Sequence, residues 1–284
     1  MGNDPKKRPQ DARNHDAHQP AKQTPMNFHG HAFPAFSLVL GLILGSFYNV
    51  CIHRYLAGES IGNPPRSKCP KCGHTLSWWE NIPLLSYAIL GGRCRACKRS
   101  ISPRYVVVEA VSGLLALALG LKFGPDAKWA VYMVFSGILI VAGFIDLDSY
   151  ILPDFLTLPG AGLALLCAPV FLDLSVWESL SGAALGAGIF WGIQVAYLRL
   201  RGIEGMGTGD IKLMLLLGGL VGIRALPFLI FTGALSALVA GFFYMRKKDA
   251  KGMRTAVPFG PFLSLGAMLS ILVGDGVMLW FAGV

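Results

Sequence analysis

Residues 33–52 read FPAFSLVLGLILGSFYNVCI, and residues 53–104 continue HRYLAGESIGNPPRSKCPKCGHTLSWWENIPLLSYAILGGRCRACKRSISPR. The first stretch is long and apolar enough to cross a bilayer. The second is hydrophilic and carries two CxxC pairs, Cys69/Cys72 and Cys94/Cys97. A small cysteine-braced domain inserted behind a membrane helix sets the architecture.

Composition extends that reading to the whole chain. Of 284 residues, 54% are hydrophobic and only 14% charged, against about a quarter charged in soluble domains. So few charges cannot cover a solvated surface. Further apolar runs follow at 105–123, 129–145, 155–172, 178–198, 211–223, 225–245 and 259–282, predicting an all-α polytopic membrane protein of about eight transmembrane helices. The run at 178–198 carries Gly182, Gly186, Gly188 and Gly192, small residues at helix-packing spacing. The domains expected are a disordered polar tail over 1–32, a first transmembrane helix over 33–53, a loop domain over 54–104 and a seven-helix membrane domain over 105–284. Four histidines in the tail are too loosely placed to read as a metal site.

The net charge of +9 is expected of a membrane protein with basic cytoplasmic loops. No basic stretch is interleaved with aromatics as a nucleic-acid groove would require, so the bilayer is a partner and nucleic acid is not. Arg54, Arg66, Lys68, Lys71, Arg93, Arg95, Lys98, Arg99 and Arg104 crowd the cysteine loop, and Arg246, Lys247, Lys248, Lys251 and Arg254 a later one. With eight spans these loops share a side. The positive-inside rule puts that side in the cytoplasm and the N-terminus opposite.

The cysteine pattern, C-x2-C, twenty-one residues, C-x2-C, suits a tetrahedral thiolate site on Cys69, Cys72, Cys94 and Cys97. In a reducing cytoplasm, disulfides are disfavoured; a redox CxxC is the remaining alternative. Four thiolates close the coordination shell, so the expected zinc is structural and braces a segment too short to build much core. Cys51 and Cys167 read as small buried apolar residues.

The chemistry must lie elsewhere, and carboxylates at membrane boundaries call for a functional explanation. Asp146, Asp148 and Asp154 fall between two spans. Asp210 follows Gly205, Gly207 and Gly209, where the backbone can approach a neighbour closely. N-capping explains Asp154 and competes for Asp210; solvation explains Asp148. Two carboxylates sharing one proton can hydrolyse a peptide without a metal, one activating water while the other donates to the carbonyl. Spacing leaves open which of Asp146, Asp148 and Asp154 partners Asp210. The glycine run lacks the Gly-Lys-Ser/Thr ending of a phosphate loop, and no serine elbow is present. A proton-coupled transporter is the competing class.

These segments resemble the bacterial type IV prepilin peptidases, the bifunctional leader peptidase/N-methyltransferases of the GxGD aspartic type. The resemblance runs from about residue 36 to 270. It rests on Gly45-Ser46-Phe47-Tyr48-Asn49-Val50-Cys51-Ile52-His53-Arg54, the cysteine loop with Gly73-His74 and Trp78-Trp79-Glu80-Asn81-Ile82-Pro83, Ile101-Ser102-Pro103-Arg104-Tyr105, Glu109, the Asp146 to Pro153-Asp154 segment, and Gly207-Thr208-Gly209-Asp210 with Lys212. It implies catalytic roles for Asp146 and Asp210, supported by Gly207, Gly209 and Lys212. The implied reaction removes the basic leader of a prepilin or type II secretion pseudopilin at the cytoplasmic face of the inner membrane. Methylation of the new N-terminus by S-adenosylmethionine follows; the cysteine loop is the mark of bifunctional members. The alternatives are a peptidase alone or a non-catalytic pilus assembly factor. The chain departs from the family's pattern after Arg54, where a proline usually follows soon and Tyr55-Leu56-Ala57 stands here, at Val106–Val108, and in its long tail.

Overall fold

The computed structural model describes residues 28–60, 62, 66–202, 205–247 and 258–282. Its helices are α1 (Phe28–Ala57), α2 (Leu85–Ile89), α3 (Arg104–Phe123), α4 (Ala127–Ser149), α5 (Asp154–Phe171), α6 (Val176–Arg201), α7 (Thr208–Lys247) and α8 (Gly260–Ala282), with one 3-10 turn at Trp78–Asn81. No strand occurs among the described residues; two isolated β-bridges lie in the cysteine loop. Most of the expected tail, residues 1–27, lies outside the described residues, and residues 28–32 belong to α1.

Helix boundaries follow local chemistry. The Asp126 carboxylate accepts the Lys128 N–H at 2.8 Å and starts α4. Ser175 and Glu178 form a reciprocal capping box at the start of α6. Pro103 and Pro153 stand just before α3 and α5, where a missing N–H costs nothing.

Among the described residues, six helices are long and apolar enough to cross a membrane: α1, α3, α4, α5, α6 and α7. The last of these is two limbs. A straight helix of 40 residues would be about 60 Å long, twice the hydrocarbon thickness. The backbone breaks at Gly222, with φ 75° and ψ 170°, and reverses there. Gly182 on α6 abuts both Gly218 and Gly222, whereas Gly186, one turn on, abuts both Met214 and Leu226. The two limbs therefore run side by side in opposite directions. The second then pairs antiparallel with α8, since Leu229 meets Gly266 and Gly233 meets Phe262 and Leu263. With α8 these make the eight membrane segments expected from sequence.

Close backbone approach at small residues holds the bundle together, since lipid gives no hydrophobic drive between helices. Gly41 and Gly45 of α1 press against Ser112, Gly113 and Glu109 of α3; a Cβ at Gly45 would lie 2.8 Å from the Glu109 Cα. Gly182 and Gly218 do the same for α6 and α7. The sequence expectation holds for Gly182 and Gly186 but not for Gly188 or Gly192, which have nothing within 4 Å of an added Cβ and face away from the bundle. α4 is the central helix. Its apolar window is 67% buried, against 28% for α5 and α6, and Phe135, Leu139, Ala142 and Ile145 run down its core face. Whatever its last turn carries is held at the middle of one end of the bundle.

At Gly222 an L-residue must adopt an extended, positive-φ backbone that is nearly exclusive to glycine, which costs about 1–3 kcal/mol. Gly222→Ala is expected to lower the unfolding free energy in detergent by that amount, measured as a shift in the denaturation midpoint, while Gly188→Ala, on an open face in mid-helix, raises it by about 0.5–1 kcal/mol.

Candidate functional site

α4 delivers Asp146 in its last turn, only 5% exposed. The helix stops because Tyr150 takes a left-handed conformation and returns its N–H to the Asp146 carbonyl at 2.9 Å. The chain crosses through Ile151 and the buried Leu152 to Pro153 and enters α5 at Asp154. On the facing side, α7 begins at Thr208, so Asp210 is its third residue rather than its cap. Gly209 packs on Leu152: an added Cβ would come within 3.0 Å of the Leu152 Cβ. The glycine lets the start of α7 close on the α4–α5 turn and carries Asp210 with it.

Asp146 and Asp210 line one cavity of about 520 Å³, open at the end of the bundle and bounded by Tyr55, Asp154, Gly207 and Lys212 among others. Of the three carboxylates between α4 and α5, Asp146 is the buried one. Asp154 is not a cap: Pro153 holds that position, and both Asp154 oxygens accept from Lys212 Nζ at 2.7 Å. Asp148 is not merely solvated: it is ion-paired with Arg104, whose guanidinium also donates to the Phe144 carbonyl at 2.8 Å.

Two contributors escaped the sequence reading. The Gly260 N–H, at the first residue of α8, donates to Asp146 Oδ2 at 3.1 Å. A Cβ there would lie 2.8 Å from that same oxygen. The stretch Pro258-Phe259-Gly260-Pro261, a glycine set between prolines at the start of an apolar run, was the available signal. Tyr55, in the segment after Arg54 where the chain departs from the family pattern, lines the cavity and packs at a tilt against Phe155 with ring centroids 5.5 Å apart.

The cysteine loop is built from two like knuckles. In the first, Gly73 N–H bonds to the Cys69 carbonyl at 2.9 Å and Cys69 N–H to the His74 carbonyl at 2.8 Å. In the second, Lys98 and Arg99 repeat both bonds to Cys94 at 2.9 Å. Gly73 and Lys98 occupy the same left-handed position, φ 73° and 58°, so the second knuckle achieves with lysine what glycine does at less cost. The four sulfurs lie within 4.8 Å of one another, with Cys69–Cys97 and Cys72–Cys94 each at 4.0 Å. Sulfurs about 2.3 Å from a shared tetrahedral ion would stand roughly 3.8 Å apart, so the donor set fits a metal. It does not fit disulfides, which need about 2.05 Å. The Cys97 N–H, with that of Ala96, overcomes burial and pushes the Cys94 thiol down to about 6, whereas Cys72, despite the His74 N–H, is pushed up to about 11 by burial and the other three sulfurs.

Two carboxylates tie this loop together and to the membrane helices. Glu80 accepts the Ser77 N–H at 2.7 Å and faces His74 Nε2 at 3.3 Å. Those contacts, the Ser77 N–H first, hold it below the usual carboxylate range. Glu109, 9% exposed on α3, accepts the Leu84 N–H at 2.9 Å. It thereby docks the loop onto the bundle.

A multi-pass helical protein that brings two acids from separate helices to one polar opening, beside a four-cysteine loop, belongs to a narrow class of membrane proteins. Residues 39–123 match the Bacterial Peptidase A24 N-terminal domain and residues 133–242 the Type IV leader peptidase family. Curated relatives named prepilin leader peptidase/N-methyltransferase match over most of the chain. The protein of Pseudomonas aeruginosa is 35% identical over 90% of this chain and 96% of its own. That of Aeromonas hydrophila is 34% identical over 89% and 96%. That of Burkholderia pseudomallei strain K96243 is 36% identical over 88% of each. No solved structure matches significantly. The chain belongs to the type IV leader peptidase family.

Cys72→Ser is expected to reduce tightly held metal in the purified protein to background by elemental analysis. It should also expose residues 66–103 to limited proteolysis, which the native loop resists.

Proposed function

We propose that this protein is an inner-membrane aspartic endopeptidase that removes the leader of a prepilin or pseudopilin, and an N-methyltransferase that modifies the new N-terminus with S-adenosylmethionine. The single observation that carries the peptidase reading is the shared cavity of Asp146 and Asp210, side chains from separate helices at one end of the bundle. A substrate whose apolar helix lies in the bilayer and whose leader lies in the cytoplasm presents its scissile bond at that depth.

Asp146 and Asp210 hold one proton between them. The ionised partner takes a proton from water, and the resulting hydroxide attacks the carbonyl carbon. The protonated partner donates to the carbonyl oxygen, and a proton returned to the amide nitrogen releases the leader. The Gly260 N–H fixes which way Asp146 Oδ2 points. Lys212 and Asp154 neutralise each other at the cavity wall, so no bare lysine charge competes for the acids. The four cysteines hold structural zinc with a closed shell, which shapes the loop rather than taking part in cleavage. The methyl group comes from S-adenosylmethionine when it is bound. The Lys- and Arg-rich loops support a cytoplasmic position for the cysteine domain and the cavity mouth.

Asp146→Asn and Asp210→Asn are each expected to reduce leader cleavage of a co-expressed prepilin by about 10³-fold or more, with membrane insertion and melting temperature kept. Cleavage retained in either variant removes that residue from catalysis. Gly260→Val, which forces the Asp146 carboxylate aside, should lower kcat with little change in KM. Mass spectrometry of the mature N-terminus reports both the cut and the methyl group.

A further inference from the structure

Hydrolysis and methyl transfer need different surroundings: water for the first, a bound sulfonium donor and a free amine for the second. The segment matching the peptidase family, residues 133–242, contains both aspartates. A second cavity of about 380 Å³, within the roughly 300–1,000 Å³ usual for small-molecule sites, is lined almost wholly by residues 39–123. Asp148 is the exception.

The two cavities are back to back. Successive residues of an α-helix turn by about 100°, so residues two apart face nearly opposite ways. Asp146 lines the first cavity and Asp148 the second, on either side of the last turn of α4. Tyr55 lines the first and His53 the second, on either side of the last turns of α1. The wall between them is the two helix ends.

The lining of the second cavity suits a zwitterionic amino acid joined through sulfur to a nucleoside. The Arg104–Asp148 pair offers a cation and an anion side by side, anchored through the Phe144 carbonyl. Asn49, 7% exposed, spends its amide N–H on the Tyr105 carbonyl at 3.0 Å, and its amide oxygen is the remaining acceptor. The Tyr105 ring and Ile52 supply flat and apolar surface.

We propose that this second cavity, enclosed by the ends of α1 and α4 and the start of α3, binds S-adenosylmethionine and receives the freed amine. The inference rests on the N-methyltransferase reading above. The substrate ammonium gives one proton to the His53 imidazole. The nitrogen lone pair then attacks the methyl carbon, and the carbon–sulfur bond breaks with its electrons left on sulfur. The products are a methylated ammonium and a neutral thioether.

The test uses the full-length protein in detergent and radiolabelled S-adenosylmethionine. Ultraviolet crosslinking to the wild type should put label on peptides containing Asn49–Ala57 or Ser102–Tyr105. Ala57→Phe, which fills the cavity from an exposed position, should raise the donor's Kd by at least about tenfold at an unchanged melting temperature. His53→Ala should keep donor affinity within about twofold and slow methylation by about 10²-fold. Label confined to other peptides, or wild-type affinity in a folded Ala57→Phe, overturns the assignment. A wild type that cleaves but binds no donor removes the methyltransferase reading itself, a result distinct from binding at another place.

Discussion

A carboxylate at the edge of a bilayer is costly unless its surroundings compensate. The structure around Asp146 answers that cost. The central helix brings the acid to the end of the bundle, and a left-handed tyrosine stops the helix before it carries the side chain further. A glycine N–H from the last helix meets one oxygen. Leu152 shields one side and allows α7 to close only because residue 209 lacks a side chain. The glycines near the site matter less for flexibility than for distance: each removes a Cβ from a place where two backbones, or a backbone and a carboxylate, must nearly touch.

The cysteine loop obeys a different rule. It has little core of its own, and each knuckle is fixed by a few backbone hydrogen bonds around a CxxC turn. Its rigidity depends on the sulfur cluster at one end and on Glu109 at the other. Because Glu109 takes a backbone N–H, its hold on the loop is independent of the side chain at position 84. Tyr105 and Arg104, where the loop re-enters the bundle, then border the second cavity. Loop and bundle share that wall, so disorder in the loop reaches the cavity.

The elements that repeat along the chain were the legible ones. Apolar runs gave the spans, including both limbs of α7, because membrane thickness sets their length. The CxxC spacing gave the sulfur cluster, because a tight turn fixes two ligands at once. Contacts between distant segments carry no such local signature. Spacing could not tell Asp146, Asp148 and Asp154 apart; the structure separates them by burial, and burial depends on segments remote in sequence. The partners of Asp148 and Asp154, Arg104 and Lys212, are remote in sequence. Gly188 and Gly192 read like packing residues, yet they turn away from the neighbouring helices.

The donor to Asp146 Oδ2 stands at the head of α8, 114 residues beyond the acid along the chain. Until that helix has entered the bilayer, the Asp146 carboxylate lacks this backbone partner. The direction in which that oxygen points is therefore set only after both aspartates have been inserted.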